Sequence, residues 1–130
     1  TLEVDDDAFK IAIYHPEDSE KYLYPFLKEF EKYNLEVVVS GKYWVDIMNK
    51  NINKGKAVEI LQNLLNISPT QTMSFGDYMN DIQMLKNSKY SYAMQNAHPA
   101  VKEAANYEAT SNDDFGVLKT ISDYLDSIEN

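Results

Sequence analysis

Gly76-Asp77-Tyr78-Met79-Asn80-Asp81 is the stretch on which the reading of this chain turns. It follows a β-branched and aromatic run, Gln71-Thr72-Met73-Ser74-Phe75, and opens an expected helix over 78–87. Two carboxylates and an amide therefore fall at the C-terminal end of a strand, against the N-terminus of a helix. In open α/β sheets ligands bind in that crevice, and the unpaired N–H groups of a first helical turn attract anions. Carboxylates there would repel a phosphate. A hard divalent cation such as Mg²⁺ removes the conflict, because it takes oxygen ligands from one or two carboxylates together with substrate phosphate.

Working outward, the chain alternates between short apolar runs and helical stripes. Asn53 is a candidate N-cap for a helix whose stripe, Ala57, Ile60, Leu61, Leu64 and Leu65, reads as core-facing, with Ser68-Pro69 ending it. A strand over 71–75, the helix over 78–87, a strand over 90–94, a helix over 99–106 and a short strand over 107–109 follow. The last helix carries Val117, Leu118, Ile121, Tyr124, Leu125 and Ile128 on one face. Such alternation predicts a parallel sheet with right-handed crossovers. Upstream, 9–14 reads as a strand ended by His15-Pro16, and 17–33 as largely helical, with Tyr22, Leu23, Phe26, Leu27 and Phe30 on one stripe. Pro25 must kink that helix or mark its start, since a mid-helix proline loses a hydrogen bond and clashes. Strands over 35–40 and 43–48 flank a Gly41-Lys42 turn. There is no internal repeat and no linker.

Composition bounds the answer. A chain of 130 residues suits one compact domain. With 44% hydrophobic residues and only 4 Gly and 4 Pro, it is globular and not of low complexity. Twelve basic against 21 acidic residues give a net charge of -9, which disfavours nucleic acid or an anionic membrane as partner. No run approaches the ~18 apolar residues that span a bilayer. The absence of cysteine excludes disulfides and thiolate chemistry and is compatible with a cytoplasmic protein. Thr1 is not an initiator methionine, so the chain is expected to be the C-terminal part of a longer protein.

The Gly-Asp-x-x-Asn-Asp pattern at 76–81, preceded by the helix start Lys54-Gly55-Lys56-Ala57, resembles the haloacid dehalogenase-like (HAD) phosphatases, specifically their Cof-type sugar-phosphatase branch. Ala93-Met94-Gln95-Asn96-Ala97-His98-Pro99 is similar to that branch's AMGNA loop, and Asn112-Asp113-Asp114-Phe115-Gly116-Val117 to its NDEDGV segment. The resemblance covers roughly 53–118, and the order and gaps of the motifs make it specific. It implies the C-terminal half of a Rossmannoid parallel sheet with helices on both faces over 50–130, and the tail of an α+β cap domain over 1–49. It implies Lys54 as the lysine that neutralises the phosphoryl group and the nucleophile, and Asp77 as the metal-binding aspartate. Asn80 and Asp81 match residues that support the phosphate and the metal shell, and Asn96 is a candidate loop support. Gln95 stands where the family has glycine, which tolerates a positive φ that Gln does not.

The family's chemistry begins at an N-terminal Asp-x-Asp-Gly-Thr, whose first aspartate is the nucleophile, followed by a Ser/Thr phosphate motif. Neither is in this chain. Val4-Asp5-Asp6-Asp7-Ala8 is the nearest imitation, but too few residues precede Asp5 for a buried strand, and no Gly-Thr follows. It reads as a solvated acidic turn. The resemblance thus implies half an active site: a Mg²⁺-dependent hydrolase of small phosphate monoesters such as sugar phosphates, acting through an aspartyl-phosphate, with this chain inactive alone. The expected partners are a small phosphorylated metabolite, a second copy of the chain, or the missing N-terminal segment. Taken singly, Asp77 is an ordinary helix N-cap, Lys54 an exposed lysine, Lys56 solvated, and His15 and His98 surface residues beside prolines. Tyr43 and Trp44 are the best candidates for a cap surface that meets substrate. Two alternatives come from other classes. A receiver-like signalling domain shares the Asp, Mg²⁺ and Lys, but there the acidic pair precedes the lysine, whereas here Lys54 precedes Asp77. A non-catalytic interaction domain would keep the motif as scaffold.

Overall fold

The structure is a computed structural model and describes residues 8–129. The acidic turn expected at Asp5–Asp7 lies outside them. The chain divides into two compact units, with the boundary between Ile52 and Asn53, where the sequence reading put it at 49/50.

The first unit is an antiparallel sheet of strands β1 (Lys10–Tyr14), β2 (Leu35–Gly41) and β3 (Trp44–Asn49) in the order β1-β3-β2. Alternation along β2 and β3 turns Val37, Val39, Val45 and Ile47 inward, and all four are buried. The stretch 17–33 is not one helix. It is α1 (Ser19–Tyr22), α2 (Tyr24–Leu27) and a 3₁₀ segment over Lys28–Tyr33. Pro25 sits in the first turn of α2, where its missing N–H costs nothing, so it marks a start and not a kink. Asn34, left-handed at φ 62, closes the segment. Phe26 and Phe30 on the expected stripe are exposed. The buried Ser19 hydroxyl donates to the carbonyls of Gly41 (3.0 Å) and Trp44 (3.1 Å), which ties α1 to the β2–β3 turn.

The second unit is a parallel sheet of β4 (Met73–Gly76), β5 (Tyr90–Met94) and β6 (Tyr107–Ala109), in sequence order. Gln71 belongs to a 3₁₀ turn with Pro69, so β4 starts later than the expected 71 and runs into Gly76. The expected helix over 78–87 is a 3₁₀ turn, Met79–Asp81, continued by α4 (Ile82–Lys86). Helix α5 (Pro99–Ala104) is shorter than the expected 99–106, because Ala105 is already extended. Leu85 of α4 and Val101 of α5 are fully buried in one cluster with Ala93, Met94, Ala97 and Ala109. On the sheet face opposite Ala93, Phe75, Tyr92 and Tyr107 stack at 5.2 Å spacings, and Tyr124 of α6 (Gly116–Glu129) meets Tyr90 edge-on at 5.1 Å. The sheet therefore carries helices on both faces.

Two apolar stripes are not where the sequence reading put them. Helix α3 (Lys54–Leu65) turns Gln62 inward, where its amide donates to Thr72 Oγ1 (2.9 Å) and the Asn87 carbonyl (2.8 Å). Gly55, about two turns earlier on that side, lies against Gln83. The stripe on the opposite side, Ile60, Leu61, Leu64 and Leu65, is exposed, with Leu64 72% so, and Ala57 is exposed with it. The helix pattern is real; what it faces is not within the described residues. The α6 face is exposed likewise at Leu118, Leu125 and Ile128. Strand β4 pairs with β5 on one edge, and among the described residues nothing pairs with its other edge.

Candidate active site

The C-terminal end of β4 delivers Gly76 and Asp77 into a bend before the 3₁₀ turn. Gly76 is required there. A Cβ at this position would stand 2.6 Å from Asp81 Cβ, closer than any side chain can be packed. With the backbone drawn in this far, Asp81 folds back over the bend. Its Oδ2 accepts the N–H of Asp77 (3.0 Å) and of Tyr78 (3.3 Å), and its Oδ1 pairs with Lys54 Nζ. Asp81 is almost fully buried, at 5% side-chain exposure, whereas Lys54 is 52% exposed. Both Asp81 oxygens are thus committed inside the protein. Asp81 is a strut that holds the lysine and the bend.

Lys54 is placed by its helix. The Asn53 side chain accepts the N–H of Lys56 (2.9 Å) and starts α3, as expected of an N-cap. Gly55 lets that first turn approach Gln83, and the Asn87 amide donates to the Gly55 carbonyl (3.0 Å). Lys56 is exposed and pairs with Glu59 on its own helix.

Asp77 does not cap a helix with its side chain; Tyr78 is the N-cap residue of the turn. The Asp77 carbonyl accepts the His98 N–H (2.9 Å), and its Oδ2 accepts from Asn112 Nδ2 (3.1 Å). Among the described residues nothing hydrogen-bonds Asp77 Oδ1. Asp77, Asp81 and Lys54 line one cavity of about 390 Å³ together with Gly76 and Asn112, and its apolar wall is Phe75, Met84, Met94 and Val117. Asn80 is half-buried on the 3₁₀ turn and is not among the lining residues. Asn96 is exposed and accepts the Asn112 N–H on Oδ1 (3.3 Å). Gln95 has no positive φ, so the loop runs without the left-handed backbone that a glycine would allow. His98 is half-buried and its Nδ1 accepts the Ala100 N–H (3.2 Å), starting α5. His15 likewise accepts from Glu17 and Asp18 and stacks on Tyr22 at 4.8 Å. Asn112 is the site residue the sequence reading left without a role. It stands 35 residues from Asp77, a separation that leaves no periodic signal.

No cluster of three or more His, Cys, Asp or Glu able to hold a metal exists among the described residues. Mg²⁺ does not need one. It keeps several waters and is bound through one or two carboxylates plus phosphate. One carboxylate with an uncommitted oxygen, in a cavity that also presents an ammonium, fits that pattern.

The chain matches the haloacid dehalogenase-like hydrolases over residues 1–121, and it belongs to this family. It is 39% identical over 88 residues to the 5-amino-6-(5-phospho-D-ribitylamino)uracil phosphatase YbjI of Escherichia coli, covering 68% of this chain and 32% of that protein. Among solved structures it is similar to SMU.1108c of Streptococcus mutans, with a TM-score of 0.82, 41% identity, and coverage of 90% of this chain and 44% of that one. It is also similar to the HAD subclass IIB sugar phosphatase BT4131, with a TM-score of 0.71, 26% identity, and coverage of 92% and 44%. The Cof-type resemblance read from the motifs therefore holds, and the receiver-like alternative falls. The chain spans about a third of the length of the curated relatives it matches. No helix among the described residues is long and apolar enough to cross a membrane.

Proposed function

We propose that this chain supplies the cation-binding and lysine half of a phosphatase site that hydrolyses small phosphate monoesters, with sugar phosphates the first class to test. The observation that carries the reading is the Lys54–Asp81–Asp77 arrangement around one cavity at the C-terminal end of β4. Phosphoryl transfer needs charge neutralised around a loose transition state and an attacking group held in line, and little else from the protein. Asp77 is the carboxylate for a Mg²⁺, and Asp81 supports it from behind by fixing the backbone of the bend. Lys54, held by Asp81 yet half exposed, is the cation for the phosphoryl oxygens. Bound there, Mg²⁺ supplies positive charge shared between the aspartate and the substrate phosphate.

On this reading the nucleophile would be the first aspartate of an Asp-x-Asp-Gly-Thr motif, which these 130 residues do not contain. The phosphoryl group passes to that aspartate as the alcohol leaves, and water then hydrolyses the acyl phosphate. Residues 1–49 are read as cap, with Tyr43 and Trp44 its candidate substrate contacts. A cytoplasmic place of action is part of this reading, supported by the cysteine-free composition. The test is turnover of a panel of phosphate monoesters by the intact protein. Lys54→Ala should lower kcat at least ~100-fold, because it removes a cation aimed at developing charge. Turnover within twofold of wild type would take the lysine out of the mechanism.

A further inference from the structure

We infer that Asn112 is a positioning residue that fixes the Asp77 carboxylate; the inference rests on the reading of Asp77 as the cation ligand. The backbone of Asp77 is held twice, by Asp81 through its N–H and by His98 through its carbonyl. Its carboxylate is held once among the described residues, by Asn112 Nδ2 on Oδ2. An aspartate side chain turns freely about χ1 and χ2 unless something holds it. A single hydrogen bond to one oxygen sets the plane of the carboxylate and leaves Oδ1 for a cation. The donor type matters. A side-chain amide orients the carboxylate without cancelling its charge, as a lysine or arginine in the same place would.

Asn112 is itself anchored for this task. Its N–H donates to Asn96 Oδ1 (3.3 Å), which links the loop after β5 to the loop after β6. Its neighbour Ser111 organises the turn that follows. The Ser111 carbonyl accepts the N–H of Asp114 (3.0 Å) and of Gly116 (3.1 Å), and the Ser111 hydroxyl accepts the N–H of Asp113 (3.2 Å). Phe115 completes the turn in the left-handed region at φ 56. A bulky aromatic side chain is held there against its backbone preference, as happens where the surroundings over-determine a conformation. The loop thus presents one amide to one carboxylate from a fixed base, and Asn96 acts on Asp77 through Asn112.

The test follows the ¹³C signal of the Asp77 carboxylate in the full-length protein, assigned by its loss in Asp77→Asn, and the Mg²⁺ concentration that half-saturates turnover. In Asn112→Ala the Asp77 signal should move toward those of solvated aspartates while the Asp81 signal stays. The half-saturating Mg²⁺ should rise about five- to tenfold, the size of one ordinary solvent-accessible hydrogen bond, with KM for the ester unchanged. If the alanine variant does not fold, Asn112→Ser shortens the side chain beyond reach of Asp77 and keeps the loop polar. An unmoved Asp77 signal in the folded variant overturns the inference. So does a moved signal with half-saturating Mg²⁺ within twofold of wild type, since the hydrogen bond would then have no consequence for the site. The reading of Asp77 fails separately, if Asp77→Asn leaves metal-dependent turnover intact.

Discussion

Asp81 and Lys54 touch each other but do different work, and single substitutions separate the two. Removing the Asp81 side chain strands two backbone N–H donors in a half-buried bend and removes the lysine's partner. Asp81→Ala should therefore cost about 1–3 kcal/mol of stability, read by denaturant unfolding. Lys54→Ala takes the cation from a nearly buried carboxylate but leaves Asp81 its two N–H bonds, so its cost should stay below that of Asp81→Ala. Equal stability losses would mean that Asp81 is not the strut described here. Phe115 makes an opposite prediction. Its left-handed backbone costs an L-residue roughly 1–2 kcal/mol, and its ring is 72% exposed, so little burial is lost on replacement. Phe115→Asn, which tolerates that region, should raise stability by about 1 kcal/mol; a lower melting temperature would contradict the account. At this scale the sequence was legible where a residue's type limits its job. Asn53 as a cap and the lysine that opens its helix could be read in advance, whereas the close approach that requires Gly76 could not. The Asn112–Asp77 bond could not, because it depends on how two loops far apart in sequence meet across the end of a sheet.

The elements teach a second lesson about what periodicity carries. The stripe of α3 was read as core-facing and that of α6 as one apolar face; the patterns are there, but a stripe reports that an apolar face exists and not which surface covers it. In α3 the inward side is Gly55 and Gln62, a glycine and a glutamine that no hydrophobic pattern would select. Their roles are close approach and hydrogen bonding to Thr72 and Asn87. The uncovered side, with Leu61 54% and Leu64 72% exposed, joins a β4 edge that is unpaired among the described residues as a place for association. We propose that the chain alone self-associates through these surfaces, by exchange of elements between copies or by simple contact. Light scattering should report species larger than a monomer, and Leu61→Glu with Leu64→Glu should reduce them; a monomer at high concentration would refute the proposal. The strands were legible nearly to the residue, since 90–94 and 107–109 recur as β5 and β6. The tyrosines on the sheet face also set an alkaline limit. Burial, then neighbouring Tyr107 and Tyr90, raise the Tyr92 phenol above its ordinary 10.0. A phenol with a raised folded pKa binds its proton more tightly in the native state, so its stabilising contribution is complete below about 10 and declines as pH rises through the folded value. Tyr92→Phe should flatten that alkaline loss of stability in a pH series of melting temperatures; an unchanged slope would assign the loss elsewhere.

At the scale of the whole molecule, membership of the haloacid dehalogenase-like hydrolases and the cavity at the end of β4 lead to one account. On the proposed reading the chain supplies Asp77 for a cation and Lys54 for a phosphate, and the apolar faces of α3 and α6, exposed among the described residues, lie in the same unit. On this account a further segment both covers those faces and brings the nucleophile. The motifs were readable because the family's chemistry needs particular residue types at particular gaps. Substrate identity was not, because the proposed cap candidates, Tyr43 and Trp44, carry no residue-type signal for a particular alcohol. The most direct measurement is release of inorganic phosphate from a generic phosphate monoester with Mg²⁺, by this chain alone and by the chain joined to an Asp-x-Asp-Gly-Thr-bearing segment. The account predicts no turnover by the chain alone, and Mg²⁺-dependent turnover once the segment is present, on the same polypeptide or added in trans. Metal-dependent turnover by the chain alone, abolished by Asp77→Ala, would contradict it.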